Sequence, residues 1–322
     1  MAVHLWAIAD AAGTRASAPA GSERTGYAAG LLGCMLAGTV FVAVKAVSGE
    51  MPPWALCFSR SLISALILMP LVASHHTEML AFVRRRGMEA AVIGALGLGL
   101  TQGVMFTALS YTTAVNVGII FALTPMITMA LARSLLREPM NAWQGLGSAV
   151  AFCGIVVISV QGSLQRLLSL DVGIGDLIAL GSAVTFASYT VLLKRARFEL
   201  PRMPLLVILL LAGSLASLPF AVLEYWNGAH DHLATNGYVA LLYLGIVAGA
   251  LMYLLLNTSI DILGASRAGT LIYTQMIFVA FFAWLILGEA LESYHLFGAA
   301  MIVTGILLVT LLRPKPPASA AA

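Results

Sequence analysis

Nine side chains with the chemistry to contact a small molecule lie inside long apolar stretches of this sequence. They are Gln102, Asn116, Thr124, Pro125, Tyr189, Tyr253, Asn257, Tyr273 and Gln275. An amide group donates to a carboxylate and accepts from an ammonium group, whereas tyrosine rings offer apolar and cation–π surface. We therefore predict that these nine residues bind an amphipathic substrate such as a zwitterion. The alternative is that they only form hydrogen bonds between helices, worth about 1 kcal/mol or less per pair.

A few further residues allow two interpretations. Pro125 removes a backbone hydrogen bond in mid-helix, so it predicts either a static kink or a local opening whose freed carbonyl faces the substrate. Arg60 lies about 12 Å into an apolar run at 1.5 Å per residue, deep enough to serve a substrate carboxylate. We expect it instead to pair with Glu50 or to extend its charged end to the outer surface. Glu138 and Glu289 are expected to be helix-end or gate contacts rather than binding groups.

Motifs for catalysis and metal binding are absent from the sequence. It contains no GxSxG, HExxH or P-loop pattern and no pair of carboxylates inside an apolar run. Cys34, Cys57 and Cys153 lack metal-ligand spacing, and His230 and His232 fall in a polar loop. We therefore predict that the protein is not an enzyme and that it holds neither a cofactor nor a metal.

The composition predicts a membrane protein. Hydrophobic residues make up 60% of the 322 residues, charged residues make up 10%, and the mean hydropathy is +0.96. A soluble domain carries about a quarter charged residues, so lipid must cover much of this apolar surface. The net charge of +3 comes from short basic clusters rather than a broad patch, which argues against nucleic acid as a partner. The expected partners are membrane lipid and a small-molecule substrate; the oligomeric state stays open.

Ten apolar runs are long enough to cross a bilayer as helices, which takes about 20 residues each. These runs, spans 1 to 10, lie near residues 26–48, 52–74, 89–110, 112–132, 143–161, 174–195, 203–226, 237–258, 264–287 and 294–312. Barrel strands would instead alternate over about ten residues. The sequence therefore predicts an all-α membrane protein with ten transmembrane helices.

The distribution of lysine and arginine predicts the orientation of these spans. Fourteen of the 17 basic residues fall on one side, among them Arg84 to Arg86, Arg195 and Arg202. Because positively charged loops stay inside, both termini are predicted to be cytoplasmic. Residues 1–25 and 313–322 would then form cytoplasmic tails.

A weak internal repeat relates the two halves of the chain. A shift of 149 residues pairs Lys45 with Lys194, Glu50 with Glu199 and Pro52 with Pro201, and a shift of 151 pairs Gly94 with Gly245, Glu138 with Glu289 and Gly147 with Gly298. Five spans per half is an odd number, so the second half must enter the membrane from the opposite side. The sequence therefore predicts two inverted five-helix repeats, residues 26–161 and 174–312, an arrangement typical of secondary transporters.

The segments around spans 4 and 9 carry a pattern known from one family. In the first half it runs Ala114–Gly118, Leu123–Met126 and Glu138, and in the second half Ala265–Gly269, Thr274–Met276 and Leu287–Glu289. Residues 26–312 resemble the EamA-type permeases of the drug/metabolite transporter superfamily, and most of all its amino-acid exporters, including those for aromatic amino acids. Arg137, where the pattern usually has glycine, departs from it, as do Gln275 and Met276.

The resemblance implies a central cavity surrounded by the spans that begin near residues 26, 89, 112, 174, 237 and 264. It implies a secondary transporter of the bacterial inner membrane that exports neutral or aromatic amino acids by alternating access; export of drugs or nucleobase-like metabolites is the alternative.

Other features bear on energy coupling and on two rival functions. Since no span has a carboxylate in its middle third, we expect facilitated movement without obligatory proton coupling. The rival interpretations are an intramembrane enzyme and a scaffold that transports nothing. The missing acid–base and metal pairs disfavour the first, and polar residues that recur in both halves disfavour the second.

Overall fold

The fold is known from a computed structural model that describes residues 23–121, 123–136, 142–159, 163, 165, 173–229, 235–263, 268, 271, 274–290 and 292–311. Within these residues every regular element is a helix, apart from one bridge between Ser48 and Met51. Most of the predicted N-terminal tail, the whole predicted C-terminal tail, Glu138 and Tyr273 lie outside them.

In the described part of the first half, the chain forms seven α-helices and two shorter helical segments. They are α1 (Glu23–Ala46), α2 (Pro53–Leu68), a 3-10 segment (Met69–His75), α3 (His76–Gly94), a first π-helical segment (Ala95–Leu100), α4 (Thr101–Tyr111), α5 (Ala114–Phe121), α6 (Thr124–Leu136) and α7 (Ala142–Ser159). Helices α3 and α4 and the π-helical segment between them form one continuous rod.

The second half has a similar succession of elements. They are α8 (Ile174–Ala196), α9 (Arg202–Trp226), α10 (Thr235–Leu242), a second π-helical segment (Tyr243–Leu251), α11 (Met252–Leu263), α12 (Thr274–Leu287) and α13 (Ser293–Leu311). Here α10 and α11 continue into each other through the π-helical segment.

Six helical stretches in the described part of the chain are long and apolar enough to cross a membrane. They are Glu23–Ala46, Pro53–Tyr111, Ala114–Leu135, Ile174–Ala196, Arg202–Trp226 and Gly237–Leu263, with shorter apolar helices at Gly145–Gly154 and Ile277–Leu287. Large apolar side chains face outward, such as Leu215 and Trp226, which is 84% exposed. This surface fits a lipid surrounding and confirms the predicted helical membrane protein, while the count of ten spans stays a prediction.

The connection between spans 2 and 3 differs from the predicted one. The sequence predicts a basic loop around Arg84 to Arg86, but these residues lie within α3, where Arg86 alone leaves helical geometry (φ −133°, ψ 18°). Residues 71–86 contain neither proline nor glycine, which favours helical geometry up to the kink at Arg86. The charges therefore extend a helix beyond the apolar part of the span.

Span 4 is interrupted near Pro125, as expected from that residue. Helix α5 ends at Phe121 and α6 begins at Thr124, with Leu123 in a turn between them. Proline is tolerated in the first turn of a helix, where its missing N–H has no intrahelical partner in any case. Pro125 thus stands just inside the start of α6.

Two sets of helix contacts bring the halves together. Helix α1 packs against α11 and α12, and α8 packs against α4, α5 and α6. Helix α2 packs against α9 and the second π-helical segment, and α9 packs against the first. Two glycines permit this close approach: a Cβ at Gly94 would lie 2.7 Å from the Leu209 oxygen, and one at Gly245 would lie 2.5 Å from Ile63 Cγ2.

Candidate substrate site

A buried arginine occupies the interior where α2, α4 and the second π-helical segment meet. The Arg60 side chain is fully buried, and one of its terminal nitrogens donates to Gln102 Oε1 in α4. The other donates to the backbone oxygen of Ala248 over 3.1 Å. The guanidinium carbon lies 6.0 Å from the centre of the Phe106 ring, the distance of a weak cation–π contact. Arg60 thereby links three elements that are far apart in the sequence.

The irregular backbone around Ala248 explains its contact with Arg60. In an α-helix the N–H of Met252 would bond to the oxygen of Ala248, four residues back. Here that N–H bonds to the oxygens of Val247 and Gly249 instead. The π-helical turn therefore directs the Ala248 oxygen away from its α-helical partner and toward Arg60. Such turns occur frequently at functional sites.

This position corrects one expectation for Arg60. Extension of the charged end to the outer surface would leave the guanidinium partly exposed, but its exposed fraction is 0%. Protein oxygens replace water around the charge instead. The hydroxyl of Ser64 lies 2.9 Å from the Arg60 oxygen and 2.8 Å from the Gly245 oxygen, which holds this turn of α2 against the π-helical segment.

Gln102 and Tyr253 border the arginine from α4 and α11. Their exposed fractions are 1% and 0%. The Tyr253 side chain interacts with both Arg60 and Gln102. Even so, neither the Tyr253 hydroxyl nor Gln102 Nε2 has a hydrogen-bond partner of good geometry among the residues that the structure describes. Leaving such a group unsatisfied costs about 1–3 kcal/mol, so each of these two groups requires an explanation.

A row of aromatic rings runs from this cluster through α8 and α5 to α1. Tyr189 lies 5.7 Å from Phe186, measured between ring centres, and it is within electrostatic range of Tyr253. Phe186 lies 5.3 Å from Phe121, and Phe121 lies 6.1 Å from Phe41. These separations are those of favourable aromatic pairs. The row gives the polar cluster a continuous apolar neighbour.

Tyr189 is seated directly on the first π-helical segment. A Cβ at Gly97 would lie 2.1 Å from Tyr189 Cδ2, so only glycine leaves room for the ring at this point. The ring therefore touches the backbone of the segment between α3 and α4. This contact ties α8 to the helix that carries Gln102.

A second polar cluster joins the ends of α4, α5, α8 and α13. Thr112 Oγ1 donates to Asp176 Oδ1 over 2.8 Å, and Asn116 Nδ2 lies 3.2 Å from Thr112 Oγ1 and 3.4 Å from Asp176 Oδ1. The Glu292 N–H donates to His295 Nδ1, so His295 Nε2 carries the proton and donates to Asn116 Oδ1 over 3.2 Å. Both ends of the Asn116 amide are thus bound by other residues.

Two glutamates cap helix N-termini close to these clusters. The Glu289 carboxylate accepts hydrogen bonds from the N–H groups of Ala114 (2.9 Å) and Val115 (3.1 Å), at the start of α5. The Glu224 carboxylate does the same for Trp54 (3.0 Å) and for the residue after it, at the start of α2. Carboxylates are favourable there because of the unpaired N–H groups and the helix dipole. Glu289 is therefore a helix-end contact, as expected from the sequence.

The remaining predicted site residues are spread over the interior. Thr124 is buried and bonds back to the Phe121 oxygen over 2.5 Å. Asn257 Nδ2 donates to the Tyr253 oxygen over 2.9 Å, and Asn257 Oδ1 has no partner within the described residues. Gln275 is buried in α12, where the helix approaches α1. The position of the Pro125 side chain is not described, and Tyr273 lies outside the described residues.

Taken together, Gln102 borders Tyr253, Asn257 lies one turn further along α11, and Tyr189 is within electrostatic range of Tyr253, whereas Asn116 belongs to the second polar cluster. The nine candidates do not include Arg60, although its position deep in an apolar run could have identified it. It was left out because the cavity that the resemblance implies does not include span 2.

Comparison with known proteins identifies the family. The model of the EamA-like transporter family matches the chain twice, over residues 24–160 and 173–311. An uncharacterized transporter of Bacillus subtilis, YyaM, is 24% identical over 84% of this chain and 88% of its own length. An uncharacterized transporter of Archaeoglobus fulgidus is 26% identical over 84% of this chain and 92% of its own length.

The fold has a counterpart among solved structures. A protein of known crystal structure aligns with a TM-score of 0.60 and 19% identity, covering 93% of this chain and 99% of that one. At this identity the likeness concerns the fold alone. The resemblance seen in the sequence is confirmed at the level of the family, while the narrower likeness to amino-acid exporters stays a prediction. Because the family model matches most of the chain, this multi-pass membrane protein belongs to the EamA-like transporter family.

Proposed function

We propose that the protein is an inner-membrane secondary transporter that exports small amphipathic metabolites, neutral and aromatic amino acids foremost. The observation that carries this proposal is a buried interior group of one amide and two tyrosines: Gln102 borders Tyr253, and Tyr189, within electrostatic range of Tyr253, begins a row of aromatic rings. Amide and hydroxyl groups suit the charged ends of an amino acid, and aromatic rings suit its side chain.

The two halves are proposed to be inverted repeats that rock about this cluster. The shift of 151 residues that pairs Gly94 with Gly245 also pairs Gln102 with Tyr253, so the two polar residues occupy equivalent positions. The packing supports this relation, since Gly94 contacts α9 as Gly245 contacts α2. The two π-helical segments, Ala95–Leu100 and Tyr243–Leu251, also overlap under the same shift. In secondary transporters of this type, substrate binds between the repeats near the midplane.

The substrate-binding residues are proposed to be Gln102, Tyr189, Tyr253 and Asn257, with Thr124, Pro125, Tyr273 and Gln275 completing the path. Because the first three are fully or almost fully buried, helices must part before a substrate reaches them. This is the alternating access that the family resemblance implies.

Asn116 receives a different role, that of a gate. Its amide is bound by Asp176, Thr112 and His295, which joins α5 to α8 and α13 at ends predicted to lie on the outer side. Opening toward the outside would break these contacts. Solvent contacts would replace these protein contacts in the outward-open state, so the two states are proposed to be similar in free energy.

Liposomes containing the purified protein test the proposal. With pH equal on both sides, labelled phenylalanine or alanine should exchange in a saturable manner, and vesicles that carry Tyr253→Ala should exchange several-fold more slowly. An imposed pH gradient should not accumulate the amino acid, because transport is proposed to be facilitated rather than proton-coupled. Flux of nucleobases or drugs with no flux of any amino acid would show that the substrate class is wrong, and uphill accumulation would refute the coupling.

A further inference from the structure

We propose that Arg60, Gln102 and Tyr253 form an anion subsite that receives the carboxylate of the substrate. The inference rests on the proposed transport function and adds to it the group that is recognised and the residue that carries the charge. Arg60 belongs to span 2, a span outside the cavity that the family resemblance implies. The subsite would orient the substrate, with its carboxylate toward α2 and its apolar part toward the rings of α8.

The charge of Arg60 within a membrane helix costs free energy. Arginine stays protonated inside proteins, and charged side chains within membrane helices are expensive and mark functional positions. Two hydrogen bonds from its terminal nitrogens go to an amide oxygen and a backbone oxygen, both of which are neutral.

Packing alone does not require an arginine at position 60. The shift of 149 residues pairs Arg60 in α2 with Leu209 in α9. Leu209 is also fully buried, and it meets the α3–α4 rod at Gly94 in the way that α2 meets the α10–α11 rod at Gly245. An apolar side chain therefore fills the equivalent position in the other half. The arginine is the asymmetric element of an otherwise matched pair of helices.

Two buried groups beside Arg60, Gln102 Nε2 and the Tyr253 hydroxyl, lack a hydrogen bond of good geometry within the described residues. Because Gln102 Oε1 accepts from the guanidinium, the other end of the amide, Nε2, is a donor. Neither this donor nor the Tyr253 hydroxyl makes a hydrogen bond of good geometry in the described part of the chain, although both are buried and Tyr253 interacts with Arg60 and Gln102. A carboxylate offers two oxygens with about four acceptor sites, which matches the missing component.

Aromatic rings border the proposed subsite. Phe106 faces the guanidinium, and Tyr189, which is within electrostatic range of Tyr253, begins the aromatic row. An amphipathic carboxylate placed against Tyr253 would therefore have rings beside its apolar part. The ligand class is a monocarboxylate with an apolar side chain, of which a neutral amino acid is one example.

Three matched probes separate the carboxylate from the rest of the ligand: phenylalanine, 3-phenylpropionate, which lacks the amine, and phenethylamine, which lacks the carboxylate. Each competes for uptake of labelled phenylalanine into liposomes that hold the full chain. We expect phenylalanine and 3-phenylpropionate to compete, and phenethylamine to compete at least tenfold more weakly, since a hydrogen bond to a charged group contributes about a factor of ten or more.

Variants then assign the effect to the subsite. Tyr253→Phe keeps the ring and removes only the hydroxyl, so it should weaken competition by the two carboxylates about tenfold and leave phenethylamine unchanged. Arg60→Leu adopts the side chain of the equivalent position and should abolish the preference for carboxylates. Tyr243→Phe is the control, because that hydroxyl bonds to Thr39 at 2.6 Å rather than to the cluster. It should retain the wild-type preference.

The outcomes separate the two proposals. Equal competition by all three probes, or an unchanged preference in both Tyr253→Phe and Arg60→Leu, would refute the anion subsite while transport of amino acids still stands. Absence of any phenylalanine flux in the wild-type protein would overturn the proposed function and the subsite with it.

Discussion

Replacing Gly97 with alanine probes the contact that joins the polar cluster to the aromatic row. The new methyl group would lie 2.1, 2.3 and 2.6 Å from three ring atoms of Tyr189, whereas ordinary contacts begin at 3.4 Å. The ring or the helix must therefore move by about 1.3 Å, the difference between 3.4 and 2.1 Å. Overpacking of this kind typically costs about 1–3 kcal/mol of unfolding free energy.

The sign of this effect distinguishes it from the ordinary consequence of the substitution. Alanine in place of glycine usually stabilises a helix by about 0.5–1 kcal/mol. Gly181→Ala in α8 is the matched control, because a Cβ there would meet no atom within 4 Å. Gly181→Ala should keep or raise the unfolding midpoint, and Gly97→Ala should lower it. Denaturation of the purified protein in detergent micelles measures both.

A second variant tests whether Tyr189 is the cause. In a Tyr189→Ala background the ring is gone, so Gly97→Ala should cost little, and the two substitutions should show a coupling energy of about 1–3 kcal/mol. A midpoint for Gly97→Ala at or above wild type, or an equal loss in both backgrounds, would show that the ring does not sit on this backbone. Flux should fall together with stability in Gly97→Ala, because the displaced ring belongs to the proposed site.

Three more predictions concern the periphery. Glu289→Ala should cost about 1–2 kcal/mol of unfolding free energy by leaving two N–H groups of α5 uncapped, whereas Ala at the exposed Glu292 should be neutral. Asp261→Asn should lower the free energy of unfolding by about 1 kcal/mol or less, because the ion pair between Asp261 and Arg202 is partly exposed. A double variant that exchanges the two residues, Asp261→Arg with Arg202→Asp, should keep the ion pair and the wild-type stability. A single cysteine in place of Arg85 should be labelled only from the cytoplasm, and one in place of Asn227 only from outside. Labelling of the Arg85 position from outside would show that the predicted orientation is wrong.

The sequence by itself determined the class of protein and its family. Long apolar runs cannot be buried in a chain of this size without lipid, and backbone groups in lipid must bond within a helix, so the helical membrane fold follows from composition. The pattern around Ala114–Gly118 and Leu123–Met126 indicated the EamA-type permeases, and the family match confirms it. The break before Pro125 was also foreseeable, since it follows from the local chemistry of proline.

Polarity within an apolar run identified candidate residues, but it did not group them. Asn116 and Gln102 are both amides in adjacent spans, yet one is bound into the cluster with Asp176 and His295 and the other borders Arg60. The rotation of each helix about its axis decides which way such a side chain faces. That rotation is set by packing against neighbours from the other half of the chain.

The tertiary structure alone decided the role of Arg60. Its partner Ala248 is 188 residues away, and that oxygen faces it because a π-helical turn shifts the hydrogen bonds of the backbone. Glycine and apolar residues are also frequent in regular transmembrane helices, so the composition of this stretch does not by itself indicate the turn. A contact that depends on a small backbone irregularity and on a helix distant in sequence has its cause in the assembled bundle, where the packing of α2 against that segment fixes both.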